Sequence, residues 1–305
     1  MKLVLIALSF VAAVSAGAAT IAPGDVAVAP HVTVLNILPP PPPPMYLLES
    51  AGAYKGALPN YWAFAAFGPD NHVFLIGPFS NQIDEYDPSF NLVRTIGPNF
   101  YTAGTAGFLI APNGDFYILD RSCVLYILSP AGQLKATLAL PHSGSGLADP
   151  SLDLAADSCT VLYTDVAEVG RRFNACTGTA LANLPGGQAS VVRALADGGF
   201  VTVHTITLDF YDTTDRLVRT FDVIRFPYPF AGDKITDICF DSDAHFLWVA
   251  ATVVYKVRIG DGTVTLSAGP GVPQTPQNLA VNGEHRPTVA GVAASRRRIA
   301  SRPFR

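Results

Sequence analysis

Three polar side chains close hydrophobic runs at matching places along this chain. Asp120 ends Phe116-Tyr117-Ile118-Leu119, Asp165 ends Val161-Leu162-Tyr163-Thr164, and His204 ends Phe200-Val201-Thr202-Val203. Two carboxylates and an imidazole that converge could hold a divalent cation or share acid and base work in a hydrolysis. The plainer use of such residues is local, with the aspartates accepting backbone hydrogen bonds at a turn and the histidine acting as a satisfied polar group. The four cysteines are the other reactive groups. Cys159 and Cys176 flank a hairpin centred between Ala167 and Glu168, so antiparallel pairing sets them opposite each other and a disulfide is expected. Closing that loop should stabilise the fold by roughly 3 kcal/mol in the chain-entropy account. Cys123 and Cys239 lie in or beside hydrophobic runs and read as small buried thiols. There is no G-x-S-x-G elbow, no H-E-x-x-H helix and no glycine-rich phosphate loop.

The elements that must position these residues recur. Short hydrophobic runs on either side of a turn return at intervals of 40 to 45 residues, with turns centred on Asp70, Asn113, Asp157, Asp197, Ser242 and Asn282. That period marks blades of four antiparallel strands, A to D, in an all-β propeller. In the second repeat, Gly107 to Ala111 gives A, Asn113-Gly114 turns, Phe116 to Leu119 gives B, Val124 to Leu128 gives C and Leu134 to Leu140 gives D. Leu92-Val93-Arg94-Thr95 and Leu217-Val218-Arg219-Thr220 occupy the D position of two other repeats, and their alternation suits a strand with one solvated face.

Five blades are countable in full, and the two ends supply a sixth. Asn278 to Val281 reads as an A strand before the turn at Asn282-Gly283, with no B, C or D after it. Gly24 to Ala29, Met45 to Leu48 and Tyr54 to Leu58 read as the missing B, C and D. Six blades closed by strands from both termini leave no bare sheet edge, so six is preferred to the alternative of five. Pro39 to Pro44 cannot donate ladder hydrogen bonds and should form an extended rod, either a long B–C loop of the closing blade or a linker.

Residues 1–16 follow the secretory pattern: Lys2, an apolar stretch from Leu3 to Val14, and the small residues Val14-Ser15-Ala16. The apolar stretch is shorter than the roughly 20 residues a bilayer needs, so no membrane span is expected. The domain plan is therefore a signal peptide at 1–16, an N-terminal segment with the proline run at 17–45 that can join the closing blade, a propeller at 46–284, and a basic, flexible tail at 285–305. Charged residues make up only 14% of the chain while hydrophobic ones reach 49%, which fits strands covered on both faces and excludes disorder. Net charge is −4, but setting aside Lys2 and the six arginines from Arg286 onward leaves a body of about −11. An acidic body argues against nucleic acid as a partner.

The string Ala111-Pro112-Asn113-Gly114-Asp115-Phe116-Tyr117-Ile118-Leu119-Asp120 resembles the signature stretch of NHL-repeat propellers, and the Leu-Val-Arg-Thr segments look like part of their C and D halves. The likeness extends to the six-bladed group that includes gluconolactonase-like hydrolases. That resemblance implies an axial divalent metal held by a Glu, an Asn and an Asp from different blades. Tyr163-Thr164-Asp165 resembles the end of a B strand in that family, whereas the glutamate and the Asn-Gly-Leu segment have no counterpart here. Two functions follow. The first is a secreted or periplasmic monomer that binds a protein, glycan or small molecule, with Asp120, Asp165 and His204 at the axial mouth and no cofactor. The alternative is a lactonase- or esterase-like hydrolase assisted by calcium or zinc.

Overall fold

The computed structural model describes residues 20–30, 45–51, 53–58, 64–77, 80–97, 104–144, 149–205, 207–222, 234–251, 253–267 and 276–284, with Arg286, Thr288, Ala290 and Val292 beyond them. The expected signal segment, the proline run and most of the basic tail lie outside these residues. No helix among the described residues is long and apolar enough to cross a membrane.

The strands form six antiparallel four-stranded sheets. The first three, β1 (Val26–Pro30), β2 (Met45–Leu48) and β3 (Tyr54–Leu58), stand in one sheet. Five complete blades follow in chain order. Blade 1 comprises β4 (Phe64–Phe67), β5 (Val73–Ile76), β6 (Ile83–Tyr86) and β7 (Leu92–Ile96). Blade 2 comprises β8 (Thr105–Ile110), β9 (Phe116–Asp120), β10 (Val124–Leu128) and β11 (Leu134–Ala139). Blade 3 comprises β12 (Leu152–Leu154), β13 (Thr160–Thr164), β14 (Gly170–Asn174) and β15 (Thr179–Ala180). Blade 4 comprises β16 (Val191–Ala194), β17 (Phe200–His204), β18 (Thr207–Tyr211) and β19 (Leu217–Asp222). Blade 5 comprises β20 (Asp237–Phe240), β21 (Phe246–Ala250), β22 (Val254–Arg258) and β23 (Val264–Ser267). The last strand, β24 (Pro276–Val281), pairs with β1, placing Val26 opposite Val281 and Val28 opposite Leu279. Six blades closed by both ends of the chain replace the five-blade alternative.

Burial explains why these segments become these strands. All five residues of β9 are buried, whereas the first four of β7 are exposed and β11 alternates in exposure. Inner strands are covered on both faces by neighbouring blades and so read as continuous apolar runs; outer strands keep one face in water. Six hydrophobic clusters fill the six gaps between consecutive blades. The largest joins blades 4 and 5 through Phe210, Phe221, Phe240 and Tyr255. The smallest joins blades 3 and 4 through Leu162, Leu184, Phe200 and Tyr211. There Arg172 adds an ion pair to Asp215 and lies over the Phe200 ring, 5.0 Å from its centroid.

The expected disulfide is present between Cys159 and Cys176, with Cα atoms 5.3 Å apart. The hairpin is centred on Ala167 rather than half a residue later, since Thr160 pairs with Asn174 and the Ala175 N–H bonds to the Cys159 carbonyl at 2.8 Å. Cys176 therefore sits one residue past the direct partner of Cys159, in a turn where Asn174 Oδ1 accepts its N–H at 3.0 Å. Cys123 and Cys239 are free and buried.

Candidate functional site

The six A strands surround the axis, and each has one edge that no other strand pairs. Every other inward N–H of these strands needs an acceptor or water. Side chains supply it in much of the ring. Asp153 on β12 accepts the N–H of Ala194 on β16 at 2.7 Å through one oxygen and that of Leu154 at 2.8 Å through the other. Asp237 on β20 likewise accepts from Leu279 on β24 at 2.8 Å and from Ile238 at 2.8 Å. Ser151 Oγ takes the Val192 N–H at 3.1 Å, and Asn278 Oδ1 takes the Ala65 N–H at 3.4 Å.

Arginines complete this charged sector. Arg193, only 8% exposed on β16, donates to the Ile238 carbonyl at 2.8 Å, to the Leu152 carbonyl at 3.3 Å and to Asp237. One guanidinium thus ties three inner strands together. Burial opposes its charge, but Asp237 and the neighbouring acids hold it above the ordinary guanidinium value. Burial also pushes the Asp237 carboxyl up to about 6, against the pull of Arg193 and of the Leu279 and Ile238 N–H groups.

The segment after β24 turns back across the axis. Glu284 accepts the Phe240 N–H at 2.8 Å, filling for β20 the role Asp153 fills for β16. Arg286 pairs with Asp153 at 2.7 Å and donates to the Leu154 carbonyl at 2.8 Å. Burial raises the Glu284 carboxyl, and Asp153 and Glu284 outweigh the burial of Arg286 to hold it charged. Further on, Val292 is buried in the cluster between blades 4 and 5. Two residues of the expected tail are thus packed on the propeller.

A cavity of about 560 Å³ runs between the A strands. One wall is the charged sector; the other is Phe64, Ala65, Ala66, Gly107, Phe108 and Leu109. Gly107 lets blades 2 and 3 approach, because a Cβ there would stand 2.6 Å from the Leu152 Cβ. Residues preceding the A strands form one mouth, where Glu168 pairs with Lys234 and Asp149 with Arg121 at 2.7 Å. Residues following the A strands form the other, with Asp70, Asn71 and Gly283.

Asp120, Asp165 and His204 do not line this cavity. Asp120 Oδ1 accepts the N–H groups of Ser122 and Val124, both at 2.9 Å. Asp165 repeats the pattern in blade 3, taking Ala167 at 2.9 Å and Val169 at 3.0 Å, and adds Ser143 at 2.7 Å and Arg171 at 2.8 Å. Burial opposes ionisation of Asp165, but these bonds outweigh it and hold its carboxyl below the usual range. Its turn also carries Glu168 to the mouth. His204 bonds to the Gln188 carbonyl and to Thr202 Oγ1. The axial residues Asp153, Arg193, Asp237, Glu284 and Arg286 were missed by the sequence reading. Their signal is a charge flanked by apolar neighbours in an inner strand, as in Leu152-Asp153-Leu154 and Val192-Arg193-Ala194. Among the described residues, no group of three or more His, Cys, Asp or Glu is placed to hold a metal ion.

No family model and no curated protein matches the chain. Among solved structures it is similar to a protein of unknown function from Bacteroides caccae, at 8% identity and a TM-score of 0.64, over 86% of this chain and 100% of that one. A likeness at that identity concerns the fold, and the fold is a six-bladed β-propeller.

Proposed function

We propose that this chain is an exported binding propeller of the six-bladed group that NHL-repeat proteins represent, and that its ligand sits in the axial cavity. The cavity carries this reading. It is of a size that suits small-molecule sites, its charged wall is internally paired, and its apolar wall is filled by nothing among the described residues. The disulfide supports export, because such bonds persist in oxidising compartments. The B-strand ends are the weaker candidate site, since Asp120 and Asp165 are engaged in their own turns.

A melting-temperature screen of small polar molecules tests the reading. Leu109→Trp would fill the cavity from a partly exposed position. Compounds that stabilise the protein and lose that effect in the variant support an axial site; hits indifferent to the variant, or no hits, sink it. The hydrolase alternative has one structural feature in its favour, the acidic mouth residues Asp149 and Glu168. Titration with calcium or zinc separates the two. A metal-dependent rise in Tm that Glu168→Gln abolishes favours hydrolysis, and its absence leaves binding.

A further inference from the structure

The ring of inward N–H groups is capped unevenly: among the described residues every A strand has at least one of its two inward amides met by a side chain except β8, where neither is. Each A strand ends where one residue bonds back to strand B: Gly68, Ala111, Ala155, Leu195, Asp241 and Asn282 in turn. Counting back from these residues aligns the six strands. Asp153 stands two places before, as do Arg193 on β16 and Ala66 on β4. Asp237 and Asn278 stand four places before, as does Phe64 on β4. The inward amides are one and three places before: Ala194 and Val192 on β16, Phe240 and Ile238 on β20, and, by the same alternation, Ile110 and Phe108 on β8.

Among the described residues no side-chain acceptor meets Ile110 or Phe108. The preceding blade offers Ala66 and Phe64 where an acid or amide stands elsewhere in the ring. Ala66 and Ile110 both line the cavity. The groups that cap the other amides are carboxylates in three cases (Asp153, Asp237, Glu284), so the fold itself displays the chemistry this edge accepts.

We propose that the inner edge of β8 binds the carboxylate of a small organic acid, held by the Ile110 and Phe108 N–H groups in the space Ala66 leaves, with its apolar body against Ala65, Phe108 and Leu109. This rests on the axial cavity being the binding site and specifies its ligand class.

The test uses benzoate as probe and benzamide as its neutral counterpart, titrated into the ¹⁵N-labelled protein. Benzoate should shift the Ile110 and Phe108 amide signals and bind about tenfold more tightly than benzamide, because a charged acceptor roughly doubles the strength of such bonds. Ala66→Asp should place a carboxylate where Asp153 stands in blade 3 and abolish benzoate binding. Ala66→Ser, which changes the volume little, covers the case in which the aspartate variant fails to fold, and should weaken benzoate. Equal binding of benzoate and benzamide, or benzoate shifts confined to residues outside β4 and β8, would overturn the proposal. So would absence of benzoate binding; hits from the small-molecule screen that Leu109→Trp removes would then leave the axial reading standing on its own.

Discussion

Two sectors of one axis differ sharply although their backbones repeat. From blade 3 to the closing blade, the inner-edge amides of Leu154, Val192, Ala194, Ile238, Phe240 and Leu279 meet Asp153, Ser151, Asp237 or Glu284, Asn278 reaches on to Ala65 of blade 1, and two arginines knit the strands together. In blades 1 and 2 the corresponding places hold Phe64, Ala66, Gly107 and Leu109. The backbone makes the same demand in both, since an inward N–H needs an acceptor wherever it lies. Where the chain supplies the acceptor it builds a rigid, self-contained wall. Where it withholds one it leaves donors, apolar surface and room, which are the ingredients of a site.

The largest effect should come from opening the charged wall. Asp237→Ala leaves the Arg193 guanidinium buried without its partner and uncaps Leu279, at an expected cost of about 3–5 kcal/mol. Leu109→Ala, on the bare side and only partly buried, should cost clearly less when both variants are unfolded in urea. Equal costs would erase the distinction. Blade 3 borders both sectors, and its outer strand β15 is two residues long. Replacing Cys159 and Cys176 with serine should therefore cost about 3 kcal/mol. An unchanged midpoint without reductant would mean that the short ladder suffices. Gly107→Ala pushes a methyl toward Leu152 and should cost about 1–3 kcal/mol by overpacking; a neutral outcome would show that blades 2 and 3 can separate.

The smallest effect concerns pH. Burial raises the Asp237 carboxyl to about 6 and raises Glu284 as well, so their ionisation works against folding and protonation relieves it. Asp157 and Asp165 are held below the usual carboxylate range, and Asp212 and Asp261 are held at about 2, so their contribution is present above the unfolded value and lost as pH falls through the folded one. Tm should rise modestly from pH 7 to pH 5 and fall below pH 4. A Tm that falls steadily from pH 7 downward would contradict the raised axial acids.

Turn and strand chemistry make the architecture readable in the sequence. Asn113-Gly114 and Asp197-Gly198 announce hairpins because they permit a positive φ, found at Gly114 (84°) and Gly198 (89°). The closing blade was readable too, because Asn278 to Val281 is an A strand with no B, C or D after it, and Val26 to Ala29 begins a B, C and D set that lacks an A. The disulfide was legible to within one residue, the error arising from the turn after Asn174. The axis was not legible. Asp120 and Asp165 stand out because their turn repeats, and repetition reflects what every blade needs structurally. Asp153 and Arg193 share a depth but carry opposite charges, Asp237 stands two residues deeper, and their partners lie about 40 residues away on the next blade. A distinction between blades is invisible to a search for what blades share.

Residue-resolved amide hydrogen exchange tests the two-sector account most directly. Ala194 and Leu279, capped by carboxylates, should exchange slowly, whereas Ile110 and Phe108 at the matching depths of β8 should exchange faster and slow down when benzoate is added. Equal protection of all four amides in the free protein would contradict the account.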